Sequence, residues 1–234
     1  MWRRQADGRV LTWRLAGINN QNFLARDEET GSFWQQISGK GVSGSMAGKQ
    51  LELVHSDEVT FGLWRSENPN GKVLKPLPQF ASDYEDKDWD VKMKRVRTVV
   101  DTKKTGRKPR ELMLGVTAGD SVKAYVLDRV LEQKLVQDRV GSEPVILVVG
   151  PDNKSVRVFA SRLPGSAEAP DFYRETDPKA GGPLMRDSGG SEWSFQGCAV
   201  TGAAAGKCLA PVAALKDYWF DWHRYHPETA VYDK

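Results

Sequence analysis

Cys198, Cys208, His223 and His226 are the side chains with the most evident chemistry in this chain of 234 residues. The two cysteines lie on either side of a glycine-rich turn. If that turn is a hairpin bending near Ala203, they oppose each other across its ladder. A disulfide closing so short a loop stabilises by roughly 2–3 kcal/mol in an oxidising compartment. Two buried thiols, or a redox or soft-metal site, are the other readings of the same pair. His223 and His226 stand at i and i+3 on neighbouring helix surface, where two imidazoles can share a transition metal. A third ligand would have to come from Cys198, Cys208, Asp221 or Glu228, and no zinc-type spacing is present. The simpler expectation is that His226 packs on an aromatic face and ends the helix before Pro227, with His223 exposed.

Other chemistries find less. Gly39-Lys40-Gly41-Val42-Ser43-Gly44 fits a dinucleotide fingerprint, which requires a strand before it and a helix after it. A second glycine-rich turn follows instead, so hairpin glycines are expected. There is no Gly-x-Ser-x-Gly elbow and no phosphate loop, and with three histidines a Ser–His–Asp triad has no support. Lys92 to Arg110 is basic but has no aromatic residue for base stacking, which argues against nucleic acid. Its valines suggest a strand with solvated charges. Asp86-Lys87-Asp88-Trp89-Asp90 begins like a calcium loop, yet Arg97 stands where the bidentate Glu belongs. Net charge is +3, hydrophobic content is 39%, and no apolar run approaches a membrane span. The N-terminus lacks the apolar stretch of a secretory signal. A cytoplasmic protein is expected from the chain as it stands, and an exported one if a signal lies upstream of Met1.

The elements that position these residues occur twice. Adding 158 takes Gly39 to Gly197, Gly44 to Gly202, Gly48 to Gly206, Leu51 to Leu209, Trp64 to Trp222 and Pro69 to Pro227. One structural unit used twice is the expectation: a glycine-rich β-hairpin, then a short aromatic helix ending at proline. Strands are expected at 10–15, 22–27, 32–37, 50–54, 145–149 and 155–160. The first helix is expected after a cap at Ser56 or Asp57. The second is expected to present Leu215, Trp219, Trp222 and His226 on one face. Together these give a β-rich α+β fold with a first unit over 1–80, a charged linker over 81–110 and a second unit over 111–234.

Several segments resemble the bacterial and archaeal family named domain of unknown function 3179 (DUF3179). They are Arg26 to Gln36, Ala47-Gly48-Lys49-Gln50-Leu51, Gly115-Val116 with Lys123-Ala124-Tyr125, and Tyr218 to Trp222 leading to His226-Pro227-Glu228-Thr229. The resemblance implies no activity, because the family's function is not established. It implies a Cys-Pro-Leu-type motif upstream of Asp27, and this chain begins after that point. The first unit is therefore expected to be incomplete, with an open edge available for self-association.

Duplicated glycines and tryptophans are what both halves need in order to fold. Function is expected where the halves differ: Cys198, Cys208, His223, His226 and the charged insert. A non-enzymatic ligand- or protein-binding module is the first expectation. A metal- or thiol-dependent, possibly redox, enzyme using those four residues is the second.

Overall fold

Two glycine-rich hairpins set the frame. The computed structural model describes residues 1–85, 87–163, 165–167, 169–176 and 181–234; Asp86 of the calcium-like sequence lies outside them. In one hairpin Gly41 N–H bonds Lys49 O, Gly48 N–H bonds Gly41 O, and Leu51 N–H bonds Gly39 O. In the other, Ala199, Gly206 and Leu209 donate to Lys207, Ala199 and Gly197 in the same way. Gly44 and Gly202 have φ of +88° and +80°, and a Cβ on either would come within 3 Å of Ser32 or Ser191. Both the backbone angle and the space therefore require glycine. Ser32 Oγ accepts the Met46 N–H, and Ser191 Oγ accepts the Ala204 N–H.

The elements follow in order. Strands β1 (Gln5–Ala6) and β2 (Arg9–Val10) form a small hairpin. Strands β3 (Trp13–Asn19), β4 (Asn22–Asp27), β5 (Phe33–Gln35) and β6 (Gly41–Ser43) make an antiparallel sheet in sequence order. Its core is Leu11, Trp34, Met46 and Leu51. Helix α1 (Phe61–Glu67) follows, capped by Thr60. The charged stretch holds helix α2 (Trp89–Met93). Strand β7 (Leu112–Ala118), strand β8 (Ser121–Val126) and helix α3 (Leu127–Gln133) lead to β9 (Leu135–Val140), β10 (Glu143–Val149) and β11 (Val156–Ala160). Strands β12 (Phe172–Arg174), β13 (Met185–Asp187) and β14 (Glu192–Trp193) form a small sheet. Strand β15 (Ala213–Tyr218), helix α4 (Trp219–Tyr225) and strand β16 (Ala230–Tyr232) complete the chain. Strands β15, β7, β8 and β16 form one sheet, in which β16 alone runs parallel to its neighbour.

The β-rich α+β expectation holds, and several local expectations do not. Gln50 and Leu53 make only isolated bridges, to Lys40 and Trp2, so 50–54 is not a strand. The first helix is capped by Thr60 rather than Ser56 or Asp57, because Asp57 is engaged by Arg157. Leu215 lies in β15, where pairing with Gly115 overrides its helical spacing from Trp219. The valine-bearing basic segment contains a helical turn, α2, and not a strand.

Helices α1 and α4 both have seven residues and begin and end 158 apart. Their closing residues, Asn68 and His226, have nearly the same backbone angles. Their environments differ. Leu63 of α1 sits in a core with Ile146, Phe159, Phe172 and Trp193, far along the chain. Trp222 of α4 packs with Met113, Ala124 and Trp219. Strand β3 is an edge of its sheet, and its Leu15 and Ile18 are exposed.

Candidate functional site

The first segment of the family resemblance holds a turn, and a matching turn stands at Asp187. Asp27 accepts bonds from the Thr30 N–H, the Thr30 hydroxyl and the Trp34 indole N–H, the last at 2.7 Å. Asp187 accepts from the Ser191 N–H and the Trp193 indole in the same manner. Burial pushes the Asp27 carboxyl up, but the bonds from Trp34 and Thr30 outweigh it and hold it below its ordinary value. These are satisfied buried carboxylates with a structural task.

A different group gathers where the first sheet meets the β15–α4 junction. Asn20 and Gln21 both have positive φ, which makes the tight two-residue turn joining β3 to β4. That turn sets Asn19 and Asn22 opposite each other at the hairpin tip. The Asn22 side-chain N–H donates to Asp221 in the first turn of α4. Asn19 donates to Gln35 Oε1 at 2.9 Å, and Asn20 donates to the Tyr225 hydroxyl. Asp217, the penultimate residue of β15, accepts the Tyr218 N–H through Oδ1 and shares a hydrogen bond with Asp221.

The cleft over this cluster has a volume of about 1200 Å³. Its walls include Trp2, Val42, Leu53, Val122 and Trp222, and its polar floor includes Asn22, Gln35, Asp217 and Asp221. Glycine makes this floor possible: a Cβ on Gly115 of β7 would lie 2.2 Å from the Trp222 ring. The Trp222 indole therefore lies against bare backbone, donates to Thr229 and stacks on His226 at 4.1 Å between ring centres.

Two buried polar atoms here lack a conventional partner: Gln35 Nε2 and Asp217 Oδ2. Gln35 is only 2% exposed and Asp221 7%. Burial, and then the facing Asp221 carboxylate, pushes Asp217 up to about 8. Burial also raises Asp221, against the lowering bonds from Asn22 and Asp217. One proton held between the two carboxyls is the arrangement that satisfies both at neutral pH. His226 is lowered, first by burial and then by Lys40, so it stays neutral there.

The four residues singled out by type do not converge. Cys198 and Cys208 form a disulfide across their hairpin, at the positions that Lys40 and Gln50 occupy in the other one. Neither lines the cleft. His226 lies on the cleft wall as the α4 cap, whereas His223 stacks on Trp219. Asp221 is on the floor, but its partners are Asn22 and Asp217. Among the described residues no three His, Cys, Asp or Glu side chains are placed to hold a metal ion. Cys198→Ser/Cys208→Ser is expected to lose about 2–3 kcal/mol of stability in denaturant titration.

The sequence did contain a signal for the carboxyl pair. At the offset of 158, Asp217 and Asp221 correspond to Val59 and Leu63. Leu63 is a core residue and Val59 packs on the same core. Two acids whose counterparts at that offset are apolar core side chains are out of place for folding alone.

Fold and site thus define a β-rich α+β protein with an open cleft, buried polar groups in its lining, between its first sheet and a strand–helix junction. No helix among the described residues is long and apolar enough to cross a membrane. Residues 1–229 match the model of the family described as protein of unknown function, DUF3179, and the chain belongs to that family. No curated protein and no solved structure matches it.

Proposed function

We propose that the protein is a non-enzymatic binding module that takes a small molecule in the cleft between β3–β5 and the β15–α4 junction. The observation that carries this is the Gln35 amide: nearly fully buried on the cleft wall, held by Asn19 through its oxygen, with its nitrogen unpartnered. A buried donor left without an acceptor costs about 1–3 kcal/mol. A ligand acceptor would remove that cost. The volume suits a small organic molecule, and apolar walls around a few fixed polar groups are the usual form of such sites.

The matched hydrogen bonds of the two hairpins, and the matched ends of α1 and α4, support reading the chain as a duplicated unit. On that reading the cleft lies where one copy has changed its buried face. The exposed edge of β3 supports self-association as a second role of the first unit.

A thermal-shift screen of a small-molecule library tests the main reading. Hits should raise Tm in the wild-type chain and lose most of that gain in Gln35→Leu, which should itself fold. An absence of hits, or hits indifferent to Gln35→Leu, would remove the cleft as the binding site.

A further inference from the structure

We propose that the cleft takes an organic cation, with its ammonium group on the Asp217–Asp221 carboxyl pair and an adjacent acceptor oxygen on the Gln35 amide. This rests on the cleft being a ligand site and specifies what enters it.

Three observations meet. Asp221 is buried, with an Asn amide and the Asp217 carboxyl as its polar partners. Buried charges are normally paired, because desolvation without a partner is expensive. Among the described residues no Lys, Arg or His pairs with either aspartate. The titratable side chains on the surrounding walls are Lys40, His55, Asp120, Lys216, Tyr225 and His226. Lys40 is exposed, as is Met1, whose amine also borders the cleft. His55 pairs with Asp57, Lys216 pairs with Glu58, Tyr225 accepts from Asn20, and burial and Lys40 keep His226 neutral. None supplies the missing positive charge.

The second observation is independent of the acids. Gln35 Nε2 points to a ligand atom that accepts, and an ammonium cannot accept. The ligand therefore carries both a cationic donor and a nearby acceptor, as amino alcohols and amino-carbonyl compounds do. The third is the wall of Trp2, Val42 and Leu53, which suits an apolar remainder.

In the empty cleft the shared proton takes the place of the missing charge. Burial and the facing carboxylate raise Asp217 so that it holds this proton at neutral pH. A bound ammonium makes both carboxylates favourable, so the proton leaves as the cation arrives. Binding and proton release are one event, with charge conserved inside the site.

Phenylalaninol (the amine) and 3-phenylpropan-1-ol (the alcohol) separate this idea from its rivals, since both carry the ring and an acceptor hydroxyl and they differ only in the ammonium group. Calorimetry on the full chain at pH 7, in two buffers of different ionisation enthalpy, gives affinity and proton count together. The amine should bind roughly tenfold or more tightly than the alcohol. It should release a proton in the wild-type chain and none in Asp217→Asn. Asp221→Asn should weaken the amine roughly tenfold or more, with the alcohol unchanged. Equal affinity of the two probes, no proton release, or an unchanged amine affinity in Asp221→Asn overturns the cation proposal. No amine binding, with neutral or anionic library hits sensitive to Gln35→Leu, also overturns it and leaves the cleft reading standing. No binding of any kind overturns both.

Discussion

Replacing Asp217 by asparagine is expected to stabilise the fold, and to do so more as pH rises towards 8. The Asp217 carboxyl titrates at 3.8 when unfolded and at about 8 in the native chain. Between those values the native state holds a proton that the unfolded state has lost. Stability is full below the lower value, falls as pH rises, and has lost the whole contribution above the upper one. The slope for a single such group is about 1.4 kcal/mol per pH unit. Asparagine keeps the shape, can donate to Asp221, and does not titrate. Denaturant midpoints from pH 5 to pH 8.5 should therefore fall steeply for the wild-type chain and much less for the variant. Parallel curves would mean that Asp217 is not held protonated. A substitution that stabilises while it removes ligand-linked proton release marks a residue retained for use and not for folding.

Leu63→Asp gives the opposite expectation at the corresponding position. Leu63 contacts the core formed by Ile146, Phe159, Phe172 and Trp193. The substitution loses the packing of a leucine and buries an unpaired carboxyl, for a cost of about 4 kcal/mol or more. Asp221→Leu places the reverse change where Asn22 and Asp217 lose a partner, and it should cost far less. The Asn22 amide and the protonated Asp217 carboxyl left behind are neutral, and leaving them without a partner costs about 1–3 kcal/mol. Comparable losses in both variants, measured by urea unfolding, would show that Asp221 is needed for folding as Leu63 is.

Regular strands and the glycine hairpins were legible in the sequence. Asn22–Asp27 and Val145–Val149 form β4 and nearly all of β10, because their patterns meet turn residues at both ends. Proline announced both helix ends, since Pro69 and Pro227 stand just beyond the closing residues Asn68 and His226. The helical spacing of Leu215, Trp219 and Trp222 predicts a second helix that begins before Trp219, where the structure starts it. Only the partner strand β7 reveals that Leu215 is extended. The site was hidden for a related reason. An aspartate near a helix start reads as a solvated, dipole-favoured charge, and Asp217 attracts no notice beside cysteines and histidines. Its meaning depends on burial beside Asp221, whose place is fixed by Asn22, 199 residues away in sequence. Asp221 was noticed only as a spare ligand for imidazoles. The comparison with Val59 and Leu63 was available, but it carries weight only once Leu63 is known to be in a core.

The reach of α1 bears on how the chain is made. Its Leu63 leaves the ribosome early, while the surface that covers it extends to Leu209. Roughly 150 more residues must be added first, which takes about 7–30 s at ordinary rates of synthesis. Throughout that interval the first sheet can close on its own core of Leu11, Trp34, Met46 and Leu51, with α1 trailing and its apolar side uncovered. The cleft comes well after the first sheet: its floor is complete only when Asp217 and Asp221 emerge and meet an Asn22 that has been waiting since the first strands formed.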